Sequence, residues 1–397
     1  MGSVFRKGVL CRPSQVVRSP YVADIRQSPF EASPFVSLLR TEGARMTAKE
    51  KKERKASIDA LVADLKAEDE CGGEMAHAPS LDCAGMLVMG SNAYVTRNSG
   101  ATTKTAWTVQ LCEEERGGKE PNVIVGYHPA LAEKIAKSML LHEDLPLRDE
   151  LGEIEEIASQ RTFKNSRVDF VIKGKDNTLT LLEVKNVVGA EYEEGTVPPT
   201  RSPVGVYEVS AADLPAPGER HAIFPHGSLK PGIGVVSDRA IKHVHELGEL
   251  EGTIDADSGR KIKTAVLFIV NRGDTTAFRP AHEACPMFAQ CLKAAQKRGT
   301  KLIAREVRWE LEEGEDGGFS ARALAGASLP VTFHPSVSEE LDQEHLLRVL
   351  KYNAEVPKTR SPPRTPVKKK RALEPRKKEA DGGANGVRRS ARKKAKM

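Results

Sequence analysis

Two short strand-like segments in the middle of the chain constrain the fold more than any other feature. They are RVDFVI at 167–172 and LTLLEV at 179–184, joined by the turn GKDN. Apolar and β-branched runs bounded by Gly, Asp and Asn read as neighbouring antiparallel strands. Alternation along the first puts Val168, Phe170 and Ile172 on one face, with Arg167 and Asp169 on the other. In LEVK, Glu183 and Lys185 share a face while Val184 turns to the core. Paired through the turn, the strands bring Asp169, Glu183 and Lys185 to one end of a sheet.

The flanking segments alternate between helix and strand. Residues 129–141 (PALAEKIAKSMLL) place Leu131, Ile135 and Met139 on one helical face, with Pro129 at the first position. A polar Pro- and Gly-rich stretch occupies 189–236, and a helix follows over 238–250, capped by Ser237 or Asp238. Strand 265–270, helix 285–298, strand 301–309 and a last short strand, LPVTF, carry the folded part to about 333. Strands separated by helices predict a mixed α/β (α+β) sheet with helices against it. Upstream, MLVM, AYVT and AWTVQL alternate with Gly and Asn turns over 83–112, which predicts a separate small β-barrel or sheet. The charged stretch 42–70, with an apolar stripe at Ile58, Leu61, Val62 and Leu65, predicts a helical insertion.

Charge is distributed unevenly. Residues 351–397 hold 17 Lys and Arg against 4 Asp and Glu, whereas residues 1–350 hold 44 against 51. The clusters KKKR (368–371), PRKK (375–378) and RRSARKKAK (388–396), set among prolines, predict a disordered basic tail. Such clusters serve as nucleic-acid arms or nuclear-import signals, and nuclear localisation is expected, with cytoplasm or an organelle as alternatives. Ser361 and Thr365 precede prolines beside these charges, where phosphorylation would tune the affinity for nucleic acid. No apolar run approaches the roughly 18 residues of a membrane span, so no membrane partner is expected. The six cysteines show neither a disulfide framework nor zinc-site spacing.

The chemistry lies in the central strands. Two carboxylates hold a hard divalent cation such as Mg²⁺ or Mn²⁺ and leave positions for water and phosphate. A nearby ammonium orients a nucleophile or stabilises developing charge. An acid followed 14 residues later by E-x-K, on two strands after a helix, is the sequence form of the PD-(D/E)XK nucleases. Acids at strand spacing are also common as plain surface charges, so the surrounding motifs matter. SRVDF and LLEVKNV, then SDRAIKHVHEL at 237–247, AVLFIVNRGDTTAFRP at 265–280, FAQCLKAAQKRGTKLIA at 288–304 and SLPVTF at 328–333 occur in this order.

In that series the chain resembles the sugar fermentation stimulation protein (SfsA) family from about Arg18 to Phe333. The resemblance implies an N-terminal OB-like β-barrel followed by a PD-(D/E)XK nuclease-like domain, with DNA binding and nuclease activity. It implies Asp169 and Glu183 as metal ligands and Lys185 as the catalytic lysine. Arg239, Lys242 and His243 share a helix face and would meet phosphate or substrate. A further acid from the preceding helix would complete the site, with Glu156 as a candidate. The chain departs from the family pattern at His226, which replaces an acid after Phe224-Pro225, at Ala240, which replaces Gly, and at the turn 79–82. The expected layout is an extension over 1–17, an OB-like domain over 18–120, a nuclease-like domain over 121–335 with the insertion 189–236, and the tail 336–397. The leading expectation is a metal-dependent nuclease acting on DNA or RNA. The alternative is a DNA-binding regulator without enzymatic activity.

Overall fold

A computed structural model of the protein describes residues 4–14, 21–26, 74–78, 86–87, 92–98, 105–114, 121–142, 147–163, 166–191, 219–227, 229–230, 232–314 and 318–355. The predicted helix at 42–70, most of the insertion 189–236 and the basic residues from 356 onward lie outside the described residues.

The centre of the fold is strand β9 (Thr178–Val187), nearly every residue of which is buried. It pairs antiparallel with β8 (Ser166–Gly174) and parallel with β12 (Lys261–Val270), which in turn pairs parallel with β14 (Lys301–Glu313). The parallel steps are crossovers through α3 (Asp238–Leu250) and α4 (Pro286–Arg298). In the sheet around β9, two strands lie beyond the sequence-derived pattern. β7 (Ile154–Phe163) pairs antiparallel with β8, and β15 (Gly318–Leu329) forms a long hairpin with β14. The last predicted strand at 329–333 is therefore displaced: β15 ends at Leu329, and Val331 keeps only a single bridge to Phe278. A small second sheet joins β10 (Gly189–Ala190), β11 (His221–Phe224) and β13 (Ala277–Pro280).

Both faces of the main sheet are covered, as the near-continuous apolar run AVLFIV of β12 requires. Val266, Phe268 and Val270 pack under α3, α4 and α5 (Gln343–Glu355), while Ala265, Leu267 and Ile269 pack under α1 (Pro129–Leu141) and the short α2 (Leu147–Leu151). Phe268 stacks on Phe278 with ring centres 4.0 Å apart. Val168 departs from the expected face: it packs in the α3 cluster, whereas Phe170 and Ile172 pack under α1.

The N-terminal strands are β1 (Val4–Ser14), β2 (Tyr21–Arg26), β3 (Glu74–Ala78), β4 (Asn92–Arg97), β5 (Trp107–Glu114) and β6 (Val123–Gly126). Residues 4–14, expected as an extension, are thus a strand, because VFRKGVL extends readily despite its basic residues. β1 pairs with β2 and β4, β2 with β3, β3 in parallel with β5, and β5 with β4. Among the described residues no closed barrel stands apart from the sheet, because β1 also pairs with β15 and makes the two halves continuous. Gly126 marks a close approach between these halves, since a Cβ there would fall 2.6 Å from Asn271 Cγ.

A buried ion network ties β5 to the loop after β12. Glu114 meets Arg272 at 2.8 Å and Arg220 at 3.0 Å, and Arg272 meets Asp274 at 2.6 Å. Burial alone would raise the Glu114 carboxyl, but Arg272 and Arg220 outweigh it and hold the group below its usual range. Glu114→Gln is expected to cost about 3–5 kcal/mol in urea unfolding, because it leaves buried guanidinium charge uncompensated.

The expected tail, placed at 336–397, is helical near its start. Helix α5 falls within 336–397, and Leu346 and Val349 are buried against the α3 cluster. Its spacing LLRVL is amphipathic, a local signal for this helix. Leu346→Ala is expected to destabilise the protein by about 2–5 kcal/mol in the same assay. A change below about 0.5 kcal/mol would show that α5 is not part of the core.

Candidate active site

β8 and β9 place the predicted acids together through their register. Phe170 pairs with Leu182, and the ladder ends there, next to Asp169 and Glu183. There the carboxylate takes over from the ladder: Val184 N–H donates to Asp169 Oδ2 at 2.8 Å. Lys185 Nζ donates to Glu183 Oε1 at 2.6 Å, and His243 Nδ1 contacts the same oxygen from α3. Asp169, Glu183, Lys185 and His243 are all buried. α3 begins where predicted, with Ser237 Oγ accepting from Ala240 N–H at 3.2 Å. Its cap fixes the helical phase that turns His243 toward the sheet.

The other two helix residues are placed differently. Lys242 is half-buried and pairs with Glu246 at 3.5 Å. Arg239 is exposed, one turn before His243. Of the predicted trio, only His243 joins the carboxylate cluster. Glu156 lies on β7 instead of a helix and pairs with Lys173 at 2.5 Å.

A different acid reaches the site from the preceding helix. Gln160, in the middle of β7, donates to Glu133 Oε2 at 2.5 Å and to Asp169 Oδ1 at 3.4 Å. Glu133 is the single acid in PALAEKIAKSMLL, which was the available sequence signal for it. Gln160 has φ 55°, a left-handed conformation that few residues other than Gly adopt inside a strand. No sequence pattern announces that geometry.

The two central acids differ electrically. Burial, then the charge of Glu183, push the Asp169 carboxyl up to about 6. Burial also opposes charge on Glu183, but Lys185 and then His243 outweigh it and hold the group at about 2. A neighbouring pair pushed apart in this way is an arrangement that recurs at functional sites. It has a consequence for folding. Asp169 binds its proton more tightly when folded, so its contribution to stability is full below about pH 4 and is lost as pH rises through about 6.

The donor set fits a hard divalent cation. Among the described residues every hydrogen bond to Glu183 goes to Oε1, and Asp169 Oδ1 has only the long contact from Gln160. One oxygen of each carboxylate remains for a cation. No three acidic, His or Cys side chains among the described residues close into a ready-made cage. Mg²⁺ retains several waters and often takes only one or two protein carboxylates, so such a cage is not required.

The fold is mixed α/β and sheet-dominated, with an acid and a Glu-x-Lys on adjacent central strands. Residues 130–203 and 221–313 match the sequence model of SfsA, the sugar fermentation stimulation protein RE domain. Over these residues the chain is similar to the SfsA family. A sugar fermentation stimulation protein homolog of Cyanothece sp. is 27% identical over 248 residues, covering 61% of this chain and 82% of the relative. Its counterpart in Magnetococcus marinus is 25% identical over 220 residues, covering 55% and 72%. Pyrococcus furiosus SfsA, solved in complex with Ca²⁺, aligns with a TM-score of 0.46 at 18% identity, covering 84% of this chain and 98% of that one.

Asp169→Asn keeps an acceptor for Val184 N–H while removing the buried charge. At pH 8 and without metal, the variant is expected to be more stable than wild type by up to about 3 kcal/mol in urea unfolding, the equivalent of about two pH units. At pH 4 the difference should nearly vanish. Equal or lower stability at pH 8 would overturn the assignment of the raised proton affinity to Asp169.

Proposed function

We propose that the protein is a divalent-metal-dependent nuclease that hydrolyses phosphodiester bonds of DNA, with RNA as the alternative polymer. The observation that carries this reading is the buried Asp169–Glu183 pair with Lys185 and His243 bonded to Glu183. Asp169 and Glu183 would hold Mg²⁺ or Mn²⁺, with Glu133 close enough through Gln160 to add a ligand or a water contact. When bound, the ion supplies Lewis-acid polarisation of the phosphate and lowers the pKa of a coordinated water. Lys185 is placed to orient the nucleophile or to stabilise charge developing on the phosphate. His243 holds Glu183 in position and ties α3 to the site. Arg239, exposed one turn away, offers a guanidinium to the backbone of the substrate, and Lys242 would add a second cation on leaving Glu246.

The circuit of pairings β1–β2–β3–β5–β4–β1, with β3 and β5 parallel, supports reading the N-terminal strands as an OB-like unit that tracks the nucleic-acid strand. The basic clusters beyond residue 356 would add phosphate contacts and serve as an address for nuclear import.

A regulator that binds DNA without cutting it is the competing reading. Clustered carboxylates repel phosphate and serve no purpose in binding alone, which favours the enzyme. Labelled single- and double-stranded DNA and RNA should be incubated with Mg²⁺ or Mn²⁺ and the wild type, Glu183→Gln or Lys185→Ala. Metal-dependent cleavage is expected from the wild type and a loss of at least about 100-fold from each variant. Wild-type binding without cleavage, unchanged in both variants, would favour the regulator.

A further inference from the structure

Glu183 and His243 form one end of a cleft of about 280 Å³ between β8, the end of β7 and α3. A metal and a phosphate leave most of this cleft unexplained, because Phe163, Val168, Leu247 and Leu250 line it with apolar surface. The exposed Arg167 also borders it. Its remaining polar border is His245, Glu246 and Glu249, and the two carboxylates pair with Lys242 and Arg298. The same carboxylates would accept hydrogen bonds from N–H groups. The cleft therefore suits a flat, neutral, aromatic group with N–H donors on its edge, joined to the atom that reacts at Glu183.

We propose that this cleft is a nucleobase subsite, taking one unstacked base with an exocyclic amine beside the scissile phosphate. The inference rests on the nuclease reading and adds to it the form of the substrate. Phe163 gives the base a stacking face and Arg167 a guanidinium plane at the border. The volume lies near the lower end of the range for small-ligand pockets, about 300–1,000 Å³, which matches a base better than a larger group. A base held in a duplex cannot enter without leaving its stack. The enzyme would accordingly prefer single-stranded or frayed ends to intact duplex, and amine-bearing bases to thymine or uracil at this position.

The test uses the full chain in EDTA with short single-stranded oligonucleotides carrying 2-aminopurine at successive positions. Binding is followed by anisotropy of an end label and stacking by quenching of 2-aminopurine. Wild type should quench at one register and bind an oligonucleotide with an abasic residue at that position about tenfold more weakly. Phe163→Ala should lose the quenching and the discrimination against the abasic strand, while Phe163→Tyr retains both. Thermal melts of the two variants show whether a loss reflects unfolding, and retention by the Tyr variant is required in either case. Binding and metal-dependent cleavage without quenching at any register, or with equal affinity for abasic strands, would overturn the subsite and leave the nuclease reading intact. Absence of both binding and cleavage would overturn both.

Discussion

The buried charge of Glu183 governs the arrangement around it. β9 is packed on both faces, so an ionised carboxylate there is costly unless opposite charge and hydrogen bonds accompany it. Lys185 supplies the first from two residues along the same strand, and His243 supplies the second from α3. That dependence ties α3 to β9. α4 and α5 then pack in the same core, and the apolar face under all three is shared. Asp169 takes the opposite course to Glu183. With less compensation, it holds its proton to about 6.

A second set of buried charges has a different role. Arg279 meets Glu283 at 2.7 Å and also contacts Glu191, while Arg272, Asp274, Arg220 and Glu114 form the neighbouring group. None of these groups lines the cleft beside Glu183. They join β5, the strand-end loops and the small sheet, and so hold the two halves in one register. The motif NRGDT at 271–275 is therefore explained by architecture: its Asn bonds Asn186 at 2.5 Å, and its Arg and Asp pair with each other.

Much of this order was legible in the sequence where a period or a cap was strong. The helices at 129–141, 238–250 and 286–298, and the strands carrying Asp169 and Glu183, have local signals that survive folding. β7 and β15 were harder to read. β7 (IEEIASQRTF) has charged residues at several exposed positions, and β15 (GFSARALAGASL) is rich in Ala, Gly and Ser, so neither reads as apolar alternation. Their identity comes from pairing with β8 and β14, which is a non-local fact. At the site, the strand residues followed from spacing. The contacts of Glu133 and Gln160 depend on how α1 packs across β7, and no window of sequence contains that.

Gln160 shows how a site can set the terms on which a position varies. Its left-handed backbone would be easier for glycine or asparagine, and β-branched residues would be strained there. Neither easier choice serves its contacts: glycine has no amide, and asparagine is one methylene shorter than the side chain that bridges Glu133 and Asp169. Backbone comfort and side-chain reach thus select for different residues. Side-chain reach and conformational preference oppose each other at this position, and drift there should follow the fate of the two carboxylates more closely than the stability of the strand.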